Sequence, residues 1–163
     1  MKLYMKQKVF SWRDKFSIFD EQGAERWAAK GEILTIGRKL HIYDLLGNEA
    51  AFIHQKVLTF LPRYFIDIKD KTYTMVKELT LLKPRFRIEG TNWKASGDFL
   101  AHEYRIDDDV ECIMSISKRW ISFGDSYELN IEKDQNELLA LCVALTIDCM
   151  NADADNANNA GSE

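Results

Sequence analysis

Between Lys2 and Ile131 the chain alternates apolar and polar residues in short runs broken by turn-forming residues. Phe16-Ser17-Ile18-Phe19-Asp20, Leu40-His41-Ile42-Tyr43-Asp44 and Tyr64-Phe65-Ile66-Asp67-Ile68 each place every second side chain on one face, the period of a half-buried strand. Thr72–Glu78, Arg85–Ile88, Leu100–Ile106, Cys112–Ser117 and Tyr127–Ile131 follow the same rule. Weaker runs lie at Leu3–Lys6, Trp27–Glu32, Glu49–Lys56 and Trp93–Ser96, bringing the expected total to twelve. So many short strands predict a sandwich or a barrel.

Two of the turns are echoes of each other. Ile18-Phe19-Asp20-x-x-Gly23-x-Glu25 recurs as Ile42-Tyr43-Asp44-x-x-Gly47-x-Glu49. The aspartate can accept bonds from backbone amides just after it, and the glycine supplies a positive φ, so both predict the same hairpin. Two copies do not make a repeat protein.

After residue 133 the period changes. Asp134 reads as an N-cap, and Glu137 three residues later completes a capping box. From Leu138 to Met150 apolar side chains fall on every face, which predicts a helix over about 135–151 enclosed by protein on all sides. In a strand-rich chain the enclosure is a closed sheet too wide for strand side chains alone to fill. The expected fold is mainly β: a closed antiparallel barrel around a buried hydrophobic C-terminal helix, as one domain over residues 1–150. Residues 152–163 hold no large apolar side chain and carry Asp153, Asp155 and Glu163, so a disordered acidic tail is expected.

The formal charge of −4 belongs largely to that tail, since removing its three acidic residues leaves 22 basic against 23 acidic ones. A body so balanced lacks the basic footprint of a nucleic-acid-binding protein, and no such partner is expected. Cys112, Cys142 and Cys149 show neither disulfide-framework nor zinc spacing, which suits a reducing, cytoplasmic setting. The N-terminal residues have no apolar run after their charges, so no signal peptide is expected. The 13 residues from Leu138 to Met150 fall short of the roughly 20 needed to span a bilayer.

Few residues suggest chemistry. His41, His54 and His102 lack metal-ligand spacing, and no nucleophile motif or phosphate-binding glycine loop is present, so no catalytic residue, metal or cofactor is expected. Asp107-Asp108-Asp109 reads as a solvated turn. Asp148 interrupts the apolar helix and is expected at the barrel mouth, solvated or paired. The candidate anion- or lipid-binding residues are Lys83, Arg85 and Arg87, which share one face of a strand, together with Lys118 and Arg119. Arg38-Lys39 is a further basic pair.

Several of these stretches are shared with a known family. The turn Ile42-Tyr43-Asp44-x-x-Gly47, the Lys56 strand end, Ile88-x-Gly90-x-x-Trp93, Ile116-Ser117-Lys118-Arg119-Trp120, Asp125-Ser126-Tyr127-x-Leu129-x-Ile131 and the leucine- and alanine-rich helix ending at Ile147-Asp148 resemble the LURP-one-related family. That is the bacterial YxjI-like branch of the Tubby C-terminal-like superfamily, to which phospholipid scramblases are also related. The resemblance implies a twelve-stranded barrel around a central helix. It implies little about activity: Tubby-type relatives bind phosphoinositides through basic surface residues, and no residue role is carried over from them to this chain.

The expected function is therefore a non-enzymatic binding domain for an anionic phospholipid or another phosphate-bearing ligand, in the cytoplasm and peripheral to a membrane. Two alternatives stay open. One is a protein–protein scaffold, which a patch of exposed tryptophans among Trp12, Trp27, Trp93 and Trp120 would favour, although these are expected in the barrel wall. The other is a small hydrolase with its site at a barrel mouth.

Overall fold

A computed structural model describes residues 1–6, 16–32, 35–78, 84–121 and 124–160. Among these, twelve strands run in chain order: β1 (Lys2–Lys6), β2 (Phe16–Phe19), β3 (Glu25–Gly31), β4 (Lys39–Tyr43), β5 (Glu49–Lys56), β6 (Arg63–Ile68), β7 (Lys71–Glu78), β8 (Arg85–Glu89), β9 (Trp93–Asp98), β10 (Glu103–Asp107), β11 (Cys112–Ile121) and β12 (Gly124–Ile131). Each pairs antiparallel with its chain neighbour, and β1 pairs with β12 from Lys2↔Asn130 to Lys6↔Ser126, closing the barrel. Closure leaves the sheet without an edge for another chain to extend.

The echoed hairpins adopt one geometry. Asp20 Oδ1 accepts from the amides of Gln22 and Ala24, and Asp44 Oδ1 accepts from those of Leu46 and Asn48. Gly23 and Gly47 sit at φ 78° and 83°, and both hairpins carry a bulge just before the aspartate. Asp108 caps a third turn through the amides of Val110 and Glu111. Its neighbours go elsewhere: Asp107 accepts from Arg105, and Asp109 lies 3.8 Å from Lys94. The aspartate run is thus three separately partnered carboxylates, and no metal-binding cluster occurs among the described residues.

The helix α1 (Glu137–Ala160) threads the barrel. Ala140 to Met150 are all buried, against inward residues such as Leu3, Ile18, Ile53, Ile66, Met114 and Leu129. Thr146 satisfies its hydroxyl on the Cys142 carbonyl at 2.7 Å, so a polar residue can sit in this apolar lumen.

The ends of the helix differ from expectation. Residues 134–136 form a 3-10 turn without a side-chain cap, and Asp134 instead lies 3.8 Å from the N-terminal ammonium of Met1. Glu137 makes no capping box; it accepts from Arg26 Nε and Nη2, both at 2.9 Å, and from Trp27 Nε1 at 2.7 Å. A guanidinium and an indole are better partners for a half-enclosed carboxylate than one backbone amide. At the other end the helix does not stop at 151 but runs to Ala160, correcting the expected tail over residues 152–160. Asn151 donates to the Phe99 carbonyl at 2.9 Å, and Asp153 is bonded to the barrel wall, so polar contacts order what apolar burial could not.

A smaller correction concerns residues 100–102. They form a turn before β10, with His102 at φ 55°, where a strand was expected from Leu100. Trp93 is buried in the wall and Trp27 is half-buried; Trp12 lies outside the described residues.

Candidate functional site

Strand order sorts the loops between two ends. Met1, the three aspartate-capped turns and the start of α1 share one end. Glu32, the segments 35–38, 57–62 and 99–102 and the exit of α1 share the other, here called the rim.

At the rim, two adjacent loops expose large apolar side chains. Ile36 is 86% exposed, Phe60 is 96% exposed, and Leu58 is fully exposed at a left-handed φ of 59°. A branched side chain in that region costs of order 1–3 kcal/mol, which the surrounding fold must impose. Gly37 brings the loops together: a Cβ there would lie 2.7 Å from Val57 Cγ1. The Arg38 and Gln55 backbones lock this approach, with Gln55 N donating to Arg38 O at 2.8 Å.

Directly behind these tips, Lys56 and Arg63 face each other across β5 and β6, both exposed. Like charges at opposed positions are destabilising. Among the described residues Lys56 lies over the Phe65 ring, 5.9 Å from its centroid. Neither cation has a carboxylate within 4.0 Å among the described residues.

A second feature of the rim is polar. Asp153 of α1 accepts from Arg38 Nε, from Gln55 Nε2 at 3.0 Å and from Tyr64 Oη at 2.6 Å. Tyr64 is fully buried. Burial, with Cys149 and Asp153 nearby, pushes its hydroxyl well above the ordinary value, so it stays a proton donor. Arg38, Gln55 and Asp153 line a cleft of about 310 Å³ together with Thr35, Gly37, Lys39 and Glu32, whereas the buried Tyr64 reaches Asp153 from the wall and does not line it. Glu32 is engaged by His41 Nε2 at 2.8 Å and Lys39 at 3.1 Å, which hold its carboxyl below the ordinary range.

The third is buried. Asp148 is 3% exposed, with His102 Nε2 3.0 Å from Oδ1, although no well-directed hydrogen bond reaches either oxygen. Burial pushes its carboxyl up, and His102 opposes the shift without cancelling it. His102 stacks on Tyr127 at 4.0 Å, and the buried Tyr104 hydroxyl has no hydrogen-bond partner among the described residues. Asp148 is therefore paired, as expected, but inside the lumen rather than in solvent.

The residues expected to bind an anion are only partly brought together. Arg85 and Arg87 are exposed on the outer face of β8, alternating with buried Phe86 and Ile88. Arg87 is engaged by Glu78 at 3.4 Å and Glu89 at 3.0 Å. Lys118 stands three strands away, about 14 Å across the sheet. It alternates in phase with the inward Met114 and Ile116, whereas Arg85 faces outward. Lys83 and the Arg119 side chain lie outside the described residues. The rim residues Ile36, Leu58, Phe60 and Arg63 went unnoticed in the sequence; only Arg38-Lys39 and Lys56 had drawn attention.

A closed twelve-stranded antiparallel barrel filled by its own C-terminal helix defines the class of protein. The profile of the LURP-one-related family matches residues 1–148, and the chain belongs to that family. It is 38% identical over 149 residues to the uncharacterized protein YxjI of Bacillus subtilis (strain 168), covering 91% of this chain and 92% of that one. An X-ray structure of an Arabidopsis thaliana protein shares the fold, with a TM-score of 0.59, 12% identity and 90% of each chain covered.

Proposed function

We propose that this protein is a binding module, not an enzyme, that docks reversibly on anionic membrane surfaces through the rim. The observation that carries the reading is the like-charged Lys56–Arg63 pair set directly behind the exposed Leu58 and Phe60, with Ile36 alongside. Water is a poor environment for the apolar tips, and the two like charges repel with no carboxylate near them among the described residues. At a membrane the apolar tips enter the acyl boundary while the cations meet lipid phosphates.

Each apolar side chain contributes about 1.5–3 kcal/mol when removed from water, and each cation about 1 kcal/mol near an anionic surface. Three tips and two cations give a gross attraction of about 6.5–11 kcal/mol before association entropy is charged against it, which suits reversible docking. No described helix is long and apolar enough to cross a membrane. The three free cysteines agree with a cytoplasmic protein that visits the membrane periphery. On this reading the anion-recognising surface is the rim rather than the β8 face.

Co-sedimentation with phosphatidylcholine vesicles, with and without phosphatidylglycerol, tests the proposal. The wild-type protein should pellet with the anionic vesicles, and less so as salt is raised. Leu58→Ser with Phe60→Ser, or Lys56→Glu with Arg63→Glu, should abolish pelleting while leaving the circular dichroism unchanged. Equal and negligible pelleting with both vesicle types ends the proposal.

A further inference from the structure

We infer that Arg38, Gln55 and Tyr64 form a recognition site for a phosphate or other small oxyanion, and that the protein's own Asp153 occupies it as a displaceable plug. This deepens the membrane-docking reading, and it names the group the rim recognises once an anionic surface is near.

The donor set is what an oxyanion requires. A guanidinium, a carboxamide N–H and a phenolic O–H converge on one carboxylate, and all three donate to it. Phosphate offers more acceptor atoms and more charge than a carboxylate, so the same donors suit it at least as well. Two of the three are prearranged. The buried Tyr64 cannot turn to solvent, and Gln55 is fixed by its backbone bond to Arg38 and by its Oε1, which accepts from the Arg38 amide at 3.0 Å. The cleft of about 310 Å³ gives access from outside, with Lys39 on its wall. Glu32 on the same wall is already committed to Lys39 and His41, which limits its repulsion of an incoming anion.

Among the described side chains, few besides Asp153 tie this turn to the barrel. Residues 151–160, Asn-Ala-Asp-Ala-Asp-Asn-Ala-Asn-Asn-Ala, have no large apolar side chain to bury. Apart from the Asp153 bonds, the barrel contact of the described side chains in residues 151–154 is the bond from Asn151 to the Phe99 carbonyl. A helix segment of that composition is unstable alone, so withdrawing Asp153 frees it at little cost. The site adjoins the docking loops: Gly37, on its wall, packs against Val57 at the base of the tip loop. A lipid phosphate arriving with the inserted tips is therefore delivered to the plugged donors.

Binding of inorganic phosphate and of glycerol phosphate to the full chain, measured by calorimetry, tests this without any membrane. Asp153→Ala should bind both about tenfold or more tightly than wild type, and adding Arg38→Ala should remove the gain. Asp153→Asn keeps the size of the plug but sets an NH2 against two donors, and should give the same direction of change if the alanine variant folds poorly. In the wild-type protein, high phosphate compared with chloride at equal ionic strength should speed hydrogen exchange in residues 151–160. Affinities within about twofold across wild type, Asp153→Ala and Asp153→Asn, or exchange unaltered by phosphate, overturn the inference. The vesicle arm separates the two readings. Phosphate binding by Asp153→Ala without vesicle binding identifies a site for a free phosphate. Vesicle binding that Asp153→Ala leaves unchanged means the rim docks without this site, and it counts against the plug.

Discussion

Replacing Asp148 with asparagine should make the protein more stable near pH 8 and leave it nearly unchanged near pH 3. The carboxylate is buried in the lumen, and among the described residues neither oxygen receives a well-directed hydrogen bond, although His102 Nε2 lies 3.0 Å from Oδ1. Burial raises its proton affinity, and His102 offsets part of the rise. The unfolded chain releases this proton near pH 4, about 3.9, while the folded protein holds it to higher pH. Between those two values the native state binds more protons than the unfolded state, so stability falls as pH rises, and the loss is constant above the folded value. Below both values it vanishes. Asparagine has the same shape and no proton to lose. Asparagine keeps the unmet hydrogen bonds but not the buried charge, so the expected gain at about pH 8 is the extra cost of burying the charge, of order 1–3 kcal/mol. Urea unfolding followed by tryptophan fluorescence at the two pH values measures it. An asparagine variant less stable than wild type at about pH 8 would show that the His102 contact outweighs desolvation, and a gain independent of pH would show that ionisation is not its source.

Two further outcomes test other parts of the fold. Glu137→Gln should lower stability by about 1.5–3 kcal/mol, the scale of charge-assisted bonds to a half-exposed arginine. Burial alone would push the Glu137 carboxyl up, but bonds from Arg26 and Trp27 outweigh it and hold it low. The stabilisation is therefore present above the unfolded value of about 4.3 and is lost as pH falls, so the Gln and wild-type proteins should converge in acid by the same urea assay. Thiol labelling should modify Cys112 first in the native protein. Burial pushes the Cys142 thiol up to a value where little thiolate exists, and Cys149 likewise, so both should react only on unfolding. Labelling of Cys142 in native buffer would contradict the enclosed helix.

The barrel and its helix were legible because both rest on burial, which leaves a periodic mark. Phe86 and Ile88 alternate with Arg85 and Arg87 in sequence as they do in space. The helix from Leu138 has apolar residues all round because sheet surrounds it. The twin aspartate–glycine hairpins were legible because a turn's chemistry is local. What escaped notice depends on long-range pairing. Glu137 looks like part of a cap until Arg26, 111 residues away, is placed beside it. Asp153 looks like part of a disordered tail until Tyr64 and Gln55 supply donors. Leu58 and Phe60 looked like unremarkable loop residues because exposure of a loop cannot be read from a period. The Lys56–Arg63 opposition appears only once the β5–β6 register is fixed.

The position of α1 makes these rim features interdependent. A closed barrel is stiff along its wall, so its loops are the parts free to respond. The helix core from Ala140 to Met150 is buried and cannot slide without exposing its apolar faces to polar surroundings. Only the turns beyond it can move, and these carry Asn151 and Asp153 to the rim. Whatever displaces Asp153 therefore loosens a segment that begins where the lumen ends. The effect stays local, because the buried helix acts as a fixed post. On the proposed plug, exposing the Arg38 donors needs no rearrangement of the barrel: an anion that displaces Asp153 would change the tail, and the core would not have to register it.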